Sequence, residues 1–81
     1  MKICIQFFSR LKEIAVAEPI EKSVPVGSTV GDLLEELDAE FPRLAEWEGK
    51  LLIAVGMEFA TRQQVLKEGD LVSLMPPVQG G

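Results

Sequence analysis

From residue 2 to residue 8 the chain alternates, with Ile3, Ile5 and Phe7 on one side and Cys4, Gln6 and Phe8 on the other. A period of two in β-branched and aromatic residues predicts a strand. Cys4, in mid-strand, reads as a small buried hydrophobe, because free cysteine is among the most buried residue types. In the following Ser9-Arg10-Leu11-Lys12-Glu13-Ile14-Ala15, Ser9 is placed to cap a short helix with Leu11, Ile14 and Ala15 on one side. That helix cannot pass Glu18-Pro19, since the residue before a proline is pushed out of the helical region. Residues 20–24 alternate again, and Pro25, which has no N–H to give to a ladder, marks the strand's end. Turn signals at Pro19 and Val26-Gly27 predict that these two strands pair antiparallel.

The best-defined helix starts at Thr29, whose spacing to Asp32 is that of a capping box. Val30, Leu33, Leu34, Leu37 and Phe41 then repeat as one buried stripe, and Pro42 ends the helix at Phe41. Glu35, Glu36, Asp38 and Glu40 fall mainly off the stripe. Such a run is ordinarily a solvated face; docking of a basic partner is the alternative. Residues 43–49 read as a polar connection holding the only tryptophan, Trp47. The continuous apolar run at 51–55 suits a central strand buried on both faces. Gly56 breaks it, Glu58-Phe59-Ala60 forms a short return, and Lys67-Glu68-Gly69-Asp70 is a turn. Residues 71–75 form a last strand, stopped by Pro76-Pro77. The predicted architecture is a two-layer α+β domain over residues 1–75: a mixed sheet of four or five strands with one long helix on one face. Residues 76–81 form a flexible projecting tail.

Composition narrows the chemistry. The 81 residues, 47% hydrophobic and 26% charged, suit one small globular domain, with no space for a separate catalytic one. Histidine is absent, which removes imidazole bases and His metal ligands; one cysteine excludes a disulfide or cysteine-held cluster within the chain. Eight Lys and Arg against 13 Asp and Glu give a net charge of −5, unfavourable for nucleic acid and better suited to a basic protein partner. No apolar run approaches a membrane span, and Met1-Lys2 leads straight into the first strand rather than a signal sequence, so the cytoplasm is the expected location.

The tail is the chemical feature. Pro76 and Pro77 stop the ladder and stiffen the exit, and residues Val78, Gln79, Gly80 and Gly81 extend by at most about 13–14 Å. Gly80 and Gly81 lack side chains and can pass through a channel that would reject a Cβ. An α-carboxylate on Gly81 is then unhindered, at the end of a short tether. With no base, metal site or nucleophile elsewhere, chemistry on this chain is expected there.

At this point the sequence resembles the ubiquitin-like β-grasp sulfur carriers, specifically the MoaD type, the small subunits of molybdopterin synthase. The resemblance is carried by Ile5-Gln6-Phe7-Phe8-Ser9-Arg10-Leu11-Lys12-Glu13, by Thr29-Val30-Gly31-Asp32-Leu33-Leu34 and by Leu52-Ile53-Ala54-Val55. Its most specific part is the ending, Gly69-Asp70, a strand, then Pro76-Pro77-Val78-Gln79-Gly80-Gly81. Two departures are Val55-Gly56-Met57, where the family usually has an Asn-containing turn, and Met75, where an aromatic residue is common.

The resemblance implies a carrier cycle rather than an enzyme acting by itself. An E1-like adenylating enzyme uses ATP to activate the Gly81 carboxylate as an acyl-adenylate, and a persulfide-derived sulfur displaces AMP to leave a thiocarboxylate. The tail then enters the large synthase subunit, in a heterotetramer, and gives up sulfur to build the dithiolene of molybdopterin. No permanently bound cofactor, metal, nucleic acid or membrane is implied. Phe8, Phe59 and Met75 are expected on the exposed side of the sheet as the partner-binding patch. The rivals are a carrier for thiamine or tRNA thiolation, a ubiquitin-like modifier of lysines, and a plain binding module with an inert tail.

Overall fold

The alternation at the start of the chain becomes β1 (Lys2–Phe7), with Ile3, Ile5 and Phe7 buried. The structure, a computed structural model, describes residues 1–47 and 49–77. A short helix, α1 (Leu11–Ile14), leads to β2 (Ile20–Ser23), and the long helix α2 (Val30–Glu40) follows. A 3-10 helix (Pro42–Trp47), β3 (Leu52–Val55), β4 (Glu58–Phe59) and β5 (Leu71–Met75) complete the order. The five strands lie in the order β2-β1-β5-β3-β4. β1 and β5 run parallel, and every other pair is antiparallel. With α2 packed across one face, this is the ubiquitin-like β-grasp that the resemblance implied.

α2 begins with a complete capping box: the Asp32 N–H donates to Thr29 Oγ1 at 3.2 Å, and the Thr29 N–H donates to Asp32 Oδ2 at 3.0 Å. Such a cap contributes about 1 kcal/mol by satisfying donors that the first turn leaves open. Val30, Leu33, Leu34 and Leu37 are buried against the sheet, and Phe41, just past the helix, meets Phe7 edge to face with ring centres 5.9 Å apart. Gly31 sits where a Cβ would lie 3.3 Å from the Arg62 carbonyl oxygen, so glycine lets the helix start approach the loop before β5.

Four expectations are corrected. Cys4 is only half-buried, because it faces the side of the sheet that no second layer covers. Ser9 does not cap α1; it takes a positive φ of 52° in the tight reversal out of β1, and no side chain caps that helix. Residues 43–49 are more than a polar connection, since Leu44 in the 3-10 helix is fully buried. Leu44 and Trp47 stand three apart, the spacing that shares one side of a 3-10 helix. β3 is not buried on both faces: only Ile53 is, and the central place belongs to β5, whose Val72, Ser73 and Leu74 are all buried. The apolar run at 51–55 is continuous because Leu52 and Ala54 lie, half-buried, on the open face.

The acidic side of α2 is partly used within the fold. Lys22 Nζ lies 2.8 Å from Glu40 Oε1 and 3.9 Å from Glu36 Oε1, tying β2 to the helix. The Glu40 hydrogen bond, with the charges of Glu40 and Glu36, raises the Lys22 pKa above 10.5 against the opposing effect of desolvation. A raised lysine pKa stabilises the fold below the unfolded value and stops doing so as pH rises through the folded one. We therefore expect a contribution of ~0.2–1 kcal/mol that is full at neutral pH and fades above about pH 10.5. Urea unfolding of the wild type and Lys22→Met across pH 8–12 checks this: the gap between their midpoints should close at the alkaline end.

Candidate functional site

Strand pairing decides which side chains share the uncovered face. Phe59 pairs with Ala54, Ala54 with Ser73, and Ser73 with Gln6, whose Nε2 donates to Ser73 Oγ at 3.1 Å. Met75 pairs with Leu52, and Phe8, one residue past β1, still donates its N–H to the Leu74 carbonyl at 3.0 Å. The open face thus carries Phe8, Met75 and Leu52 in one row beside the tail root, with Ala54 and Phe59 in the next. Phe59 is 76% exposed and Phe8 36%, while Met75 and Leu52 are half-buried. Met57, in the turn joining β3 to β4, is 99% exposed. That two-residue turn, Gly56-Met57, has a positive φ of 65° at Gly56, which glycine adopts without strain. A contiguous exposed apolar surface of this kind marks an interaction site.

β5 runs directly into Pro76 and Pro77, so the row of Phe8, Met75 and Leu52 lies beside the root of the tail. Pro76 and Pro77 are half-buried. Two open clefts flank them. One, of about 320 Å³, is lined by Ser9, Arg10, Trp47, Pro76 and Pro77; the other, of about 340 Å³, by Glu46, Trp47, Lys50 and Pro77. The sequence reading missed Ser9, Arg10, Trp47 and Lys50 at this place. The three-residue spacing of Leu44 and Trp47 was the one signal that the segment is structured.

Val78, Gln79, Gly80 and Gly81 lie outside the described residues, so the predicted reacting group is defined by sequence and by where β5 delivers the chain. Among the described residues no three Cys, Asp or Glu side chains come together to hold a metal ion. No helix among them is long and apolar enough to cross a membrane. What the described residues offer is an exposed apolar surface beside the root of the tail.

Comparison with known proteins gives the same emphasis. Residues 5–81 match the ThiS family. The chain is 32% identical to the molybdopterin synthase sulfur carrier subunit of Mycobacterium tuberculosis, covering 100% of this chain and 99% of the relative. It is 33% identical to small archaeal modifier protein 3 of Haloferax volcanii, with 100% of both chains covered. Among solved structures, it resembles a chain of the complex of subunits 1 and 2 of the molybdopterin-converting factor from Helicobacter pylori. That match has a TM-score of 0.73 and 30% identity, and covers 100% of both chains.

Proposed function

The chain belongs to the ThiS family, and on that footing we propose that it is the sulfur-carrier subunit of a molybdopterin synthase. The observation that carries the reading is an end-to-end match to a sulfur carrier subunit at 32% identity. In the cycle, the Gly81 carboxylate attacks the α-phosphorus of ATP on an E1-like adenylating enzyme and pyrophosphate leaves. The terminal sulfur of a persulfide then displaces AMP, and a second thiol cleaves the resulting acyl disulfide. The products are the thiocarboxylate on Gly81 and a disulfide on the donor side. Sulfur transfer to the pterin precursor takes place in the large subunit, which supplies the acid–base groups; this chain has no histidine to offer. The large-subunit partner is supported by the two-subunit complex of the Helicobacter pylori relative. The cytoplasm, where ATP and thiols are abundant, is the proposed location.

Intact mass after incubation with ATP, the adenylating enzyme and a sulfur donor tests the reading: oxygen must be exchanged for sulfur at the terminus. A second reading, protein modifier, is favoured by the equally complete match to the archaeal modifier. It uses the same activated carboxylate and predicts instead a Gly81 isopeptide on lysine, which peptide mapping of conjugates would find.

The docking surface gives a separate expectation. Phe59→Asp or Met75→Asp should weaken both the adenylating and the large-subunit complexes roughly tenfold or more, the loss of about one well-placed apolar contact. Circular dichroism of the Phe59 variant should stay native, since Phe59 is 76% exposed. Unchanged affinity for both partners would place the interface elsewhere.

A further inference from the structure

Two walls flank the point where the chain leaves the sheet. On one side is the turn of Ser9 and Arg10, fixed by the hydrogen bond from Phe8 to β5 just before it and by the positive φ of Ser9. On the other side is Trp47, the last residue of the 3-10 helix, and with Pro77 it lines both clefts. Its backbone is anchored: Leu44 in the same helix is fully buried, and the Lys50 N–H donates to the Trp47 carbonyl at 2.9 Å. Leu44 fills the core from this helix, whereas Trp47 is only partly buried and lines the two clefts at the tail root.

We infer that Trp47 is a positioning residue: it holds the Pro76-Pro77 root and so sets the direction in which the C-terminal segment leaves the domain. This rests on the carrier reading above. The prolines transmit the direction, because each ring fixes φ and Pro77 restricts the residue before it. Beyond them, the four residues from Val78 to Gly81 reach about 13–14 Å. A root free to swing would spread the terminal carboxylate over an arc of that radius. Reacting groups tolerate little of this, since misplacement by about 1 Å can cost on the order of 10²-fold in rate. The partner's channel can reorient the segment, but only by spending binding energy that a correctly aimed root leaves for the reaction.

The test is thiocarboxylate formation at limiting carrier, followed by intact mass, for the wild type, Trp47→Ala, Trp47→Phe, Pro77→Gly and the Trp47→Ala/Pro77→Gly double variant. Trp47→Ala is expected to lower kcat/KM roughly tenfold, and Trp47→Phe, which keeps a flat ring, to restore most of it. If Trp47 and Pro77 act as one device, the double variant loses no more than the worse single variant. A purely structural role would make the two losses multiply, and a Trp47→Ala protein that loads at the wild-type rate would equally overturn the inference. Should Trp47→Ala fail to fold, Pro77→Gly still decides: emission from Trp47, the sole tryptophan, must shift to the red, and an unchanged spectrum refutes the contact. A wild type that never loads sinks the carrier reading, while that fluorescence measurement still decides whether Trp47 holds the root.

Discussion

Deletion of Gly81, or any extension beyond it, is expected to abolish sulfur loading while leaving the folded domain intact. Adenylation consumes a free carboxylate at one position. β5 ends at Met75, so the distance from the sheet to the reacting carbon is set by residues 76–81 alone. A chain one residue short brings its carboxylate about 3.3–3.6 Å too close to the domain, far outside the tolerance for productive attack. Replacing Gly80 by a bulky residue should fail for a different reason, collision of its side chain with a channel shaped for backbone. Loading is read by intact mass and folding by thermal melting. A Gly81-deleted protein that supports dithiolene formation at the normal rate would end the carrier reading. So would an uncleaved C-terminally tagged protein that loads normally.

Leu34→Ala should cost ~2–5 kcal/mol, the range for truncating a leucine in a packed core. Leu34 is 2% exposed on the sheet-facing stripe of α2. Among the described residues α2 is the only long helix, so no second helical layer is there to close over the cavity. In an 81-residue domain each kcal/mol lowers Tm by about 4–8 °C, and the melt should fall accordingly. A loss below about 0.5 kcal/mol is what a surface site would show, and it would mean that this helix packs on a different face.

Elements with a strong local signature were legible in the sequence. The alternation of β1, the capping box and stripe of α2, and the Gly-Asp turn before β5 each depend on residues within one or two turns of one another. Their periods therefore report the side each residue faces. The Gly80-Gly81 pair, too, is a local feature that can be read without knowing the fold. The failures share one cause. Ser9 suited a cap by type, yet the reversal out of β1 required it in the left-handed region. Cys4 and the 51–55 run suited burial by composition, yet the face they turn to has nothing packed over it.

A hydrophobic period states that a residue has a side but not what lies against that side, because the covering element comes from elsewhere in the chain. Gln6 meets Ser73 across 67 residues of sequence, and that pairing makes β5 the central strand. Similarly, only the folded sheet brings Lys22 to Glu40, Phe8 beside Met75, and Trp47 to the prolines where the tail begins. The sequence by itself determined the strands, the long helix and its buried stripe, and it pointed to the group proposed to react. The tertiary structure decided which apolar face stays open and which residues flank the root of the tail, since both depend on contacts between segments that no local pattern encodes.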